Sequence, residues 1–466
     1  MNLYQKEIFS DKIFYHVYPL GLGNCPKQNN FTQCAGNFFE TFAGDLDRIK
    51  KLGCNAIYLG PIFESTKHGY DTIDYYHVDR RLGNNEKFKA FVECAHQKGF
   101  SIILDAVFNH TGRDFFAFKD LQKNGFNSEF KDWYLNINFS NKSPYGDNFS
   151  YEGWAGCYDL IKLNLKNCDV KNHIFGAVKF WIEEFKIDGL RFDAADVLDK
   201  TFIEEISQFT RNLKENFWLM GEVVHGNYND WVSCNRLDSV TNYQLYRSIF
   251  ASVDQNNFFD ISYNLKREFD SSSGCYKFAP LYNFLDNHDI DRVASVIKNP
   301  KDDLYMIYAL LFTVPGIPSI YYGSEFALYG KRNNSGDEDL RPALMPFAEP
   351  KADLVPQFDA SFLADAISDF AKIRMSSKAI QKGNYVELLV KNEQFVFERN
   401  FYDDQNNLKE KVIAIFNNST KEETVSVLPK DFVQNYKDMI SGANYSPNDL
   451  QNLTLPAKSV MILRSW

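Results

Sequence analysis

The chain has 466 residues, 44% of them hydrophobic, and sets 51 Lys and Arg against 61 Asp and Glu for a formal charge of -10. That length and apolar content allow a large core, arranged as two or three domains or as one barrel with additions. The acidic balance argues against phosphate backbones and anionic membranes, which select clustered basic residues, so neither nucleic acid nor membrane is expected as a partner and a neutral or cationic ligand fits better.

The start, MNLYQKEIFSDKIFYHVYPL, lacks a basic segment followed by an apolar one, and no later stretch is apolar and uncharged for 18 residues. A soluble, cytoplasmic protein is expected. The eight Cys have no CxxC or Cys/His spacing, which points to buried reduced thiols rather than zinc ligands or disulfides.

In chain order, eight apolar runs read as strands: IFYHVYP (13–19), NAIYLGP (55–61), SIILDAV (101–107), GLRFDA (189–194), FWLMGEV (217–223), LDSVTNY (237–243), PLYNFLDN (280–287) and PSIYYG (318–323). Between them lie amphipathic stretches such as NEKFKAFVECAHQKG, VKNHIFGAVKFWIEEFK and TFIEEISQFTRNLKEN, with apolar residues at helical spacing and Gly or Asn near their ends. Alternation of this kind predicts a (β/α)8 TIM barrel, an α/β fold. One connection breaks the rhythm, because residues 108–167 are rich in Asn, Asp, Phe and Tyr without a repeated unit; a segment that long reads as an inserted subdomain. After a last barrel helix near 361–376, YVELLVKNEQFVFERNF, EKVIAIFNNST, EETVSVLP and SVMILRSW read as short strands between polar turns. The expected division is a barrel of residues 1–107 and 168–378, an insertion of 108–167, and an antiparallel β-sandwich domain of 379–466.

Catalytic groups of such barrels sit at the carboxyl ends of the strands. Here those ends are polar: Asp105 to Asn109-His110 after the third strand, Arg191-Phe192-Asp193 at the fourth, Glu222 at the fifth, and Asp286-Asn287-His288-Asp289 at the seventh. Any one of them reads equally well as a helix cap or a satisfied core residue; together, at the ends of four apolar strands, they read as one site. Arg191 and Asp193 lie two apart, hence on one face of an extended chain. The guanidinium would hold Asp193 ionised as a nucleophile, while the charges of Asp193 and Asp289 would raise Glu222 into the range of an acid and base. Two carboxyls in those roles, about 5–5.5 Å apart, perform retaining glycoside cleavage.

The motifs DAVFNH (105–110), GLRFDAAD (189–196), GEVVH (221–225) and FLDNHD (284–289), with GCNAIYLGPIFES, IKLN and GIPSIYYGSE, resemble glycoside hydrolase family 13, the α-amylase family, over nearly the whole chain. KHGYDTIDYYHVDRRLG, LDSVTNY and IKLN look like its neopullulanase and cyclomaltodextrinase branch or related intracellular bacterial α-amylases. The resemblance implies an inserted B domain, Asp193 as nucleophile, Glu222 as acid and base, and Asp289 as stabiliser of the transition state. It places Arg191, His110 and His288 around the sugar whose bond is cut, with Tyr70 stacked on its ring and Asp71 and His225 as further substrate contacts; separately, most of the many Phe and Tyr read as barrel core, while Trp154, with Tyr158, reads as an exposed-loop platform for a sugar ring. The chemistry needs no cofactor. A structural calcium would use Asn109 as a ligand. The implied reaction is hydrolysis of α-1,4 bonds in starch fragments or maltooligosaccharides; glucan transfer, cyclomaltodextrinase, neopullulanase or α-glucosidase action, and a non-catalytic glucan-binding relative, are the alternatives. Two departures stand out: Glu222 precedes Val223-Val224-His225 where that branch commonly has Ile-Trp-His, and the first strand begins near Ile13, so a monomer without the branch's N-terminal domain is expected.

Overall fold

The computed structural model describes residues 9–33, 35–333, 336–427 and 435–465. Eight parallel strands pair in chain order: β1 (Phe14–Val17), β2 (Ala56–Leu59), β3 (Ser101–Ala106), β4 (Gly189–Phe192), β5 (Trp218–Gly221), β6 (Ser239–Val240), β7 (Tyr282–Asn283) and β8 (Ile317–Tyr321). β1 pairs with both β2 and β8. A single parallel bridge from Thr241 to Tyr282 joins β6 to β7 and closes the barrel.

Nearly every strand residue is buried on both faces, which explains why the strands read as continuous apolar runs rather than alternating ones. One set of side chains, Phe14, Ala56, Tyr58, Ile103, Trp218 and Met220 among them, fills the barrel interior. The other set packs outward against the helices. Those helices start where short polar side chains offer an acceptor to free N–H groups: Asn84 caps Asn85–Gln97, Asn167 caps Cys168–Phe180, and Asp199 caps Lys200–Leu213. The helix from Cys168 continues as one π-turn over Trp181–Phe185.

Several expectations need correction. The runs 237–243 and 280–287 contribute strands of only two residues each, because Tyr243 already begins the helix Tyr243–Asp254 and the strand of the second run ends at Asn283. Among the described cysteines, Cys157, Cys168, Cys234 and Cys275 are exposed and only Cys54 is buried. All seven described cysteines are free, and Cys34 lies outside the described residues.

Between β2 and the helix Asn85–Gln97 the chain makes an antiparallel excursion, Phe63–Ser65 against Thr72–Val78, which carries Tyr70. Residues 108–167 hold a three-stranded sheet, with Cys157–Lys162 paired to both His110–Gly112 and Gly153–Trp154, and the helix Phe116–Asn124. Beyond the helix Ser361–Met375, six strands form an antiparallel-linked sheet: β9 (Asn384–Val390), β10 (Gln394–Tyr402), β11 (Leu408–Asn417), β12 (Tyr436–Asp438), β13 (Asn444–Tyr445) and β14 (Ser459–Ser465). The strand read in EETVSVLP is described over Glu423–Val425 and pairs with Leu453–Leu455; its residues 428–429, the first eight residues of the chain and Trp466 lie outside the described residues. Among the described residues no helix is long and apolar enough to cross a membrane.

Candidate active site

Arg191, on β4 and buried, is the centre of the charge arrangement. Its Nη1 lies 2.7 Å from Asp105 Oδ1 on β3 and 3.0 Å from Asp193 Oδ1, and its Nη2 lies 2.9 Å from Glu222 Oε2 just beyond β5. Asp105 is tied further by the hydroxyls of Tyr58 (2.8 Å) and Tyr70 (3.0 Å), both donating to Oδ2. Ala194 adopts a left-handed conformation, φ 46°, unusual for a residue with a side chain. That turn delivers its N–H to Glu222 Oε2 at 3.0 Å, so the strained residue holds a carboxylate of the site.

Three carboxylates therefore share one guanidinium. Burial pushes Asp193 above the usual carboxylate range, and Arg191 pulls it in the opposite direction, towards the ionised form, as expected. Glu222 is also raised, by burial first, with Asp289 adding to it and Arg191 opposing; the shift has the expected direction, but desolvation rather than neighbouring charge is its main cause. Asp193 and Glu222 face the same guanidinium, so the charge on one bears on the other. One proton held between them is the state that an attacking carboxylate beside an acid requires.

Asp289 behaves oppositely. Burial raises it, but His288 Nε2 at 3.0 Å from Oδ2 and Arg341 Nη2 at 2.9 Å from Oδ1, helped by Arg191, hold it far below the usual range. Its own N–H donates to Asn287 Oδ1 at 2.8 Å, which fixes the turn. Arg341 also donates from Nε to the His288 carbonyl at 2.9 Å and lies 4.7 Å over the Tyr18 ring.

Aromatic faces line the pocket. The Tyr70 and Tyr18 rings lie nearly parallel to His288, at 5.5 and 5.9 Å between centroids, and Tyr70 Oη contacts His288 Nε2. His110 is buried, and burial lowers its imidazole to about 3, so it is neutral; its Nδ1 meets Asn109 Nδ2 at 3.0 Å and its Nε2 has no partner among the described residues. Trp154, half-buried, lies parallel to His110 at 6.3 Å. A cleft of about 720 Å³ opens beside Tyr18, His68 and Arg341.

The structure thus gathers Asp193, Glu222, Asp289, Arg191, His288 and Tyr70 around one mouth, with His110 and Trp154 adjoining each other. Three candidates are placed differently. Asp71 is buried and accepts the N–H of His68 at 3.0 Å, so it shapes the loop that carries Tyr70. His225 is exposed, three residues beyond Glu222 in the chain. Asn109 is turned to His110, and among the described residues no group of three or more His, Cys, Asp or Glu side chains is gathered to hold a metal. Sequence reasoning missed Arg341, Tyr18 and Tyr58. The two tyrosines sit at the ends of β1 and β2, where the strand-end rule could have found them; Arg341 lies on a loop with no such signal.

A (β/α)8 barrel with paired carboxyls and aromatic faces at its mouth defines a glycosidase-type site. The catalytic-domain model of the alpha-amylase family matches residues 39–353, and the chain belongs to that family of glycoside hydrolases. It is 30% identical over 447 residues to a cyclomaltodextrinase of Thermoanaerobacter pseudethanolicus, covering 90% of this chain and 73% of that protein. It is 31% identical over 310 residues to an intracellular maltogenic amylase of Bacillus subtilis, covering 66% of this chain and 51% of that one. Among solved structures, the cyclic alpha-maltosyl-(1-->6)-maltose hydrolase of Arthrobacter globiformis superposes with a TM-score of 0.78 at 25% identity, over 98% of this chain and 99% of the other. These likenesses place the chain in the cyclomaltodextrinase and neopullulanase branch.

Proposed function

We propose that the protein hydrolyses α-1,4 bonds in maltooligosaccharides and cyclic maltodextrins, with retention of anomeric configuration, in the cytoplasm. The observation that carries this reading is that Asp193 and Glu222 are drawn to the two ends of one guanidinium, at 3.0 and 2.9 Å. That arrangement favours the short carboxyl spacing, about 5–5.5 Å, of a double displacement.

Asp193 attacks the anomeric carbon while Glu222 gives its proton to the departing glycosidic oxygen; a carbon–oxygen bond to Asp193 forms as the bond to the leaving sugar breaks. Glu222, now ionised, takes a proton from water, whose oxygen displaces Asp193 and restores both groups. Asp289, kept ionised by His288 and Arg341, faces the positive charge that develops on the ring. Neutral His110 donates or accepts a hydrogen bond to a sugar hydroxyl through its free Nε2. The cleft of about 720 Å³ accommodates further sugar units. Cyclic substrates and the compartment are suggested by the names of the relatives, a cyclomaltodextrinase and an intracellular maltogenic amylase.

The test is an anomeric-proton NMR time course with maltoheptaose and a cyclic maltodextrin. Early α-anomer is expected from both, and none from Asp193→Asn, which removes the nucleophile at nearly constant shape. Early β-anomer would refute double displacement, longer products would indicate transfer, and inert cyclic substrate would confine the activity to linear chains.

A further inference from the structure

Away from the carboxylates, the barrel floor meets the C-terminal sheet around a small cavity. Ser10 before β1, Ala279 and Pro280 before β7, and Gly316 before β8 contribute to its wall. All of them precede their strands, so the cavity lies on the face opposite the active site. Tyr385 of β9 and Arg399 of β10 close it from the sheet, and its volume of about 30 Å³ suits one small ion or water.

Two guanidiniums are buried in this region: Arg399, at 1% exposure, lines the cavity, and Arg374, at 0%, lies behind its wall. Arg399 donates to the carbonyls of Gly383 and Thr313, at 2.9 and 2.8 Å. Arg374 donates to those of Gly316, Phe312, Ser10 and Ile380. Among the described residues neither is hydrogen-bonded to a carboxylate. Arg374 feels the half-exposed Asp11, and Arg399 feels the like charge of Arg374. Burial first of all lowers both to about 9. The carbonyl end of the helix Pro300–Thr313 offers roughly half a negative charge against two full positive ones. Nearby acids are engaged elsewhere: Glu387 with Lys266 at 2.7 Å, and Asp270 with Ser272 and Ser273. In this region Tyr385 Oη and Arg374 Nε are buried with no hydrogen-bond partner among the described residues. Buried polar groups are rarely left so, and a buried charge calls for a counter-charge.

We propose that this cavity binds a small monovalent anion, chloride, between Arg399 and the Tyr385 hydroxyl, and that the anion ties the barrel floor to the C-terminal sheet. Water would satisfy the hydroxyl but would leave the charge uncompensated. A bound anion stabilises the folded chain in proportion to its saturation, and the catalytic mouth is untouched.

The test is thermal unfolding of the full chain in sodium chloride and in sodium gluconate at matched ionic strength, together with crystals soaked in sodium bromide. A saturable rise in Tm with chloride alone is expected, with a bromide anomalous peak within hydrogen-bond distance of Tyr385 Oη. Tyr385→Phe keeps the ring and is chosen because loss of Arg399 risks misfolding. It should weaken the apparent chloride affinity at least tenfold and leave hydrolysis in chloride-free buffer unchanged. Equal Tm in the two salts, a cavity without bromide, or a chloride response that Tyr385→Phe leaves intact would each overturn the proposal.

Discussion

Glu222 owes its raised pKa mainly to burial, with Asp289 adding and Arg191 opposing, and this has a sign in the rate. As a general acid Glu222 acts protonated, so activity is lost as pH rises through its folded pKa. Glu222→Gln should remove that alkaline limb, cost a hundredfold or more on maltooligosaccharides, and cost much less on substrates with an activated leaving group. Equal losses on both substrate types would assign the proton to another residue. Arg341 acts at one remove, through Asp289 and the His288 carbonyl. Arg341→Met deletes hydrogen bonds to a charged group, each worth about 1.5–3 kcal/mol, so kcat should fall roughly 10- to 100-fold. A structural role alone would lower Tm and leave kcat per folded molecule unchanged, so both are measured. The two residues differ in how far the sequence reveals them. Glu222 ends an apolar strand, and its role follows from that position; Arg341 reaches the site from a loop 52 residues beyond Asp289 in the chain, and only the folded path brings it there.

At the scale of elements, the weak point of the barrel is the seam between β6 and β7, which a single backbone bridge closes. Side chains reinforce it: Asn242 donates to Asn283 Oδ1 at 3.0 Å and to Glu268 Oε2 at 2.9 Å, the latter on the helix Phe258–Phe269. Glu268 is fully buried, and burial raises its carboxyl from 4.5 to about 7 against the opposing hydrogen bonds of Asn242 and Arg267. A folded pKa above the unfolded one means that the native state binds the extra proton between those values. The stability it confers is complete below pH 4.5 and is lost as pH rises to 7, a change of about 3 kcal/mol. Glu268→Gln keeps an acceptor for Asn242 and should flatten that part of the stability profile in denaturant titrations at pH 5 and pH 7.5. An unchanged slope would show that Glu268 is solvated. At the same seam the paired strands are shorter than the apolar runs that contain them. Apolar composition marks β6 and β7 correctly, but LDSVTNY and PLYNFLDN contain residues buried by helix start and loop packing rather than by pairing, and hydropathy does not distinguish those forms of burial.

At the scale of the molecule, the tail reads in sequence as a separate all-β unit, yet its packing joins it to the barrel. Phe395, Phe397, Phe416 and Ile462 of the sheet belong to the same continuous core as the barrel helices, while Val396, Ile413, Ile415 and Leu463, facing the other way, form a core of their own. Alternation along β10 and β11 thus sends one face into the barrel and the other into the tail domain. Phe258 of the helix Phe258–Phe269 lies stacked on Phe395 at 5.6 Å, and Asn418 donates to the Val253 carbonyl at 2.8 Å. A shared core of this kind predicts that barrel and sheet unfold together. Phe395→Ala should cost about 3–5 kcal/mol and move one calorimetric peak to lower temperature, with catalytic activity lost over the same range. If the variant instead shows two peaks, with activity surviving the first, the sheet folds independently and the apolar contact between the two units adds little to the stability of either.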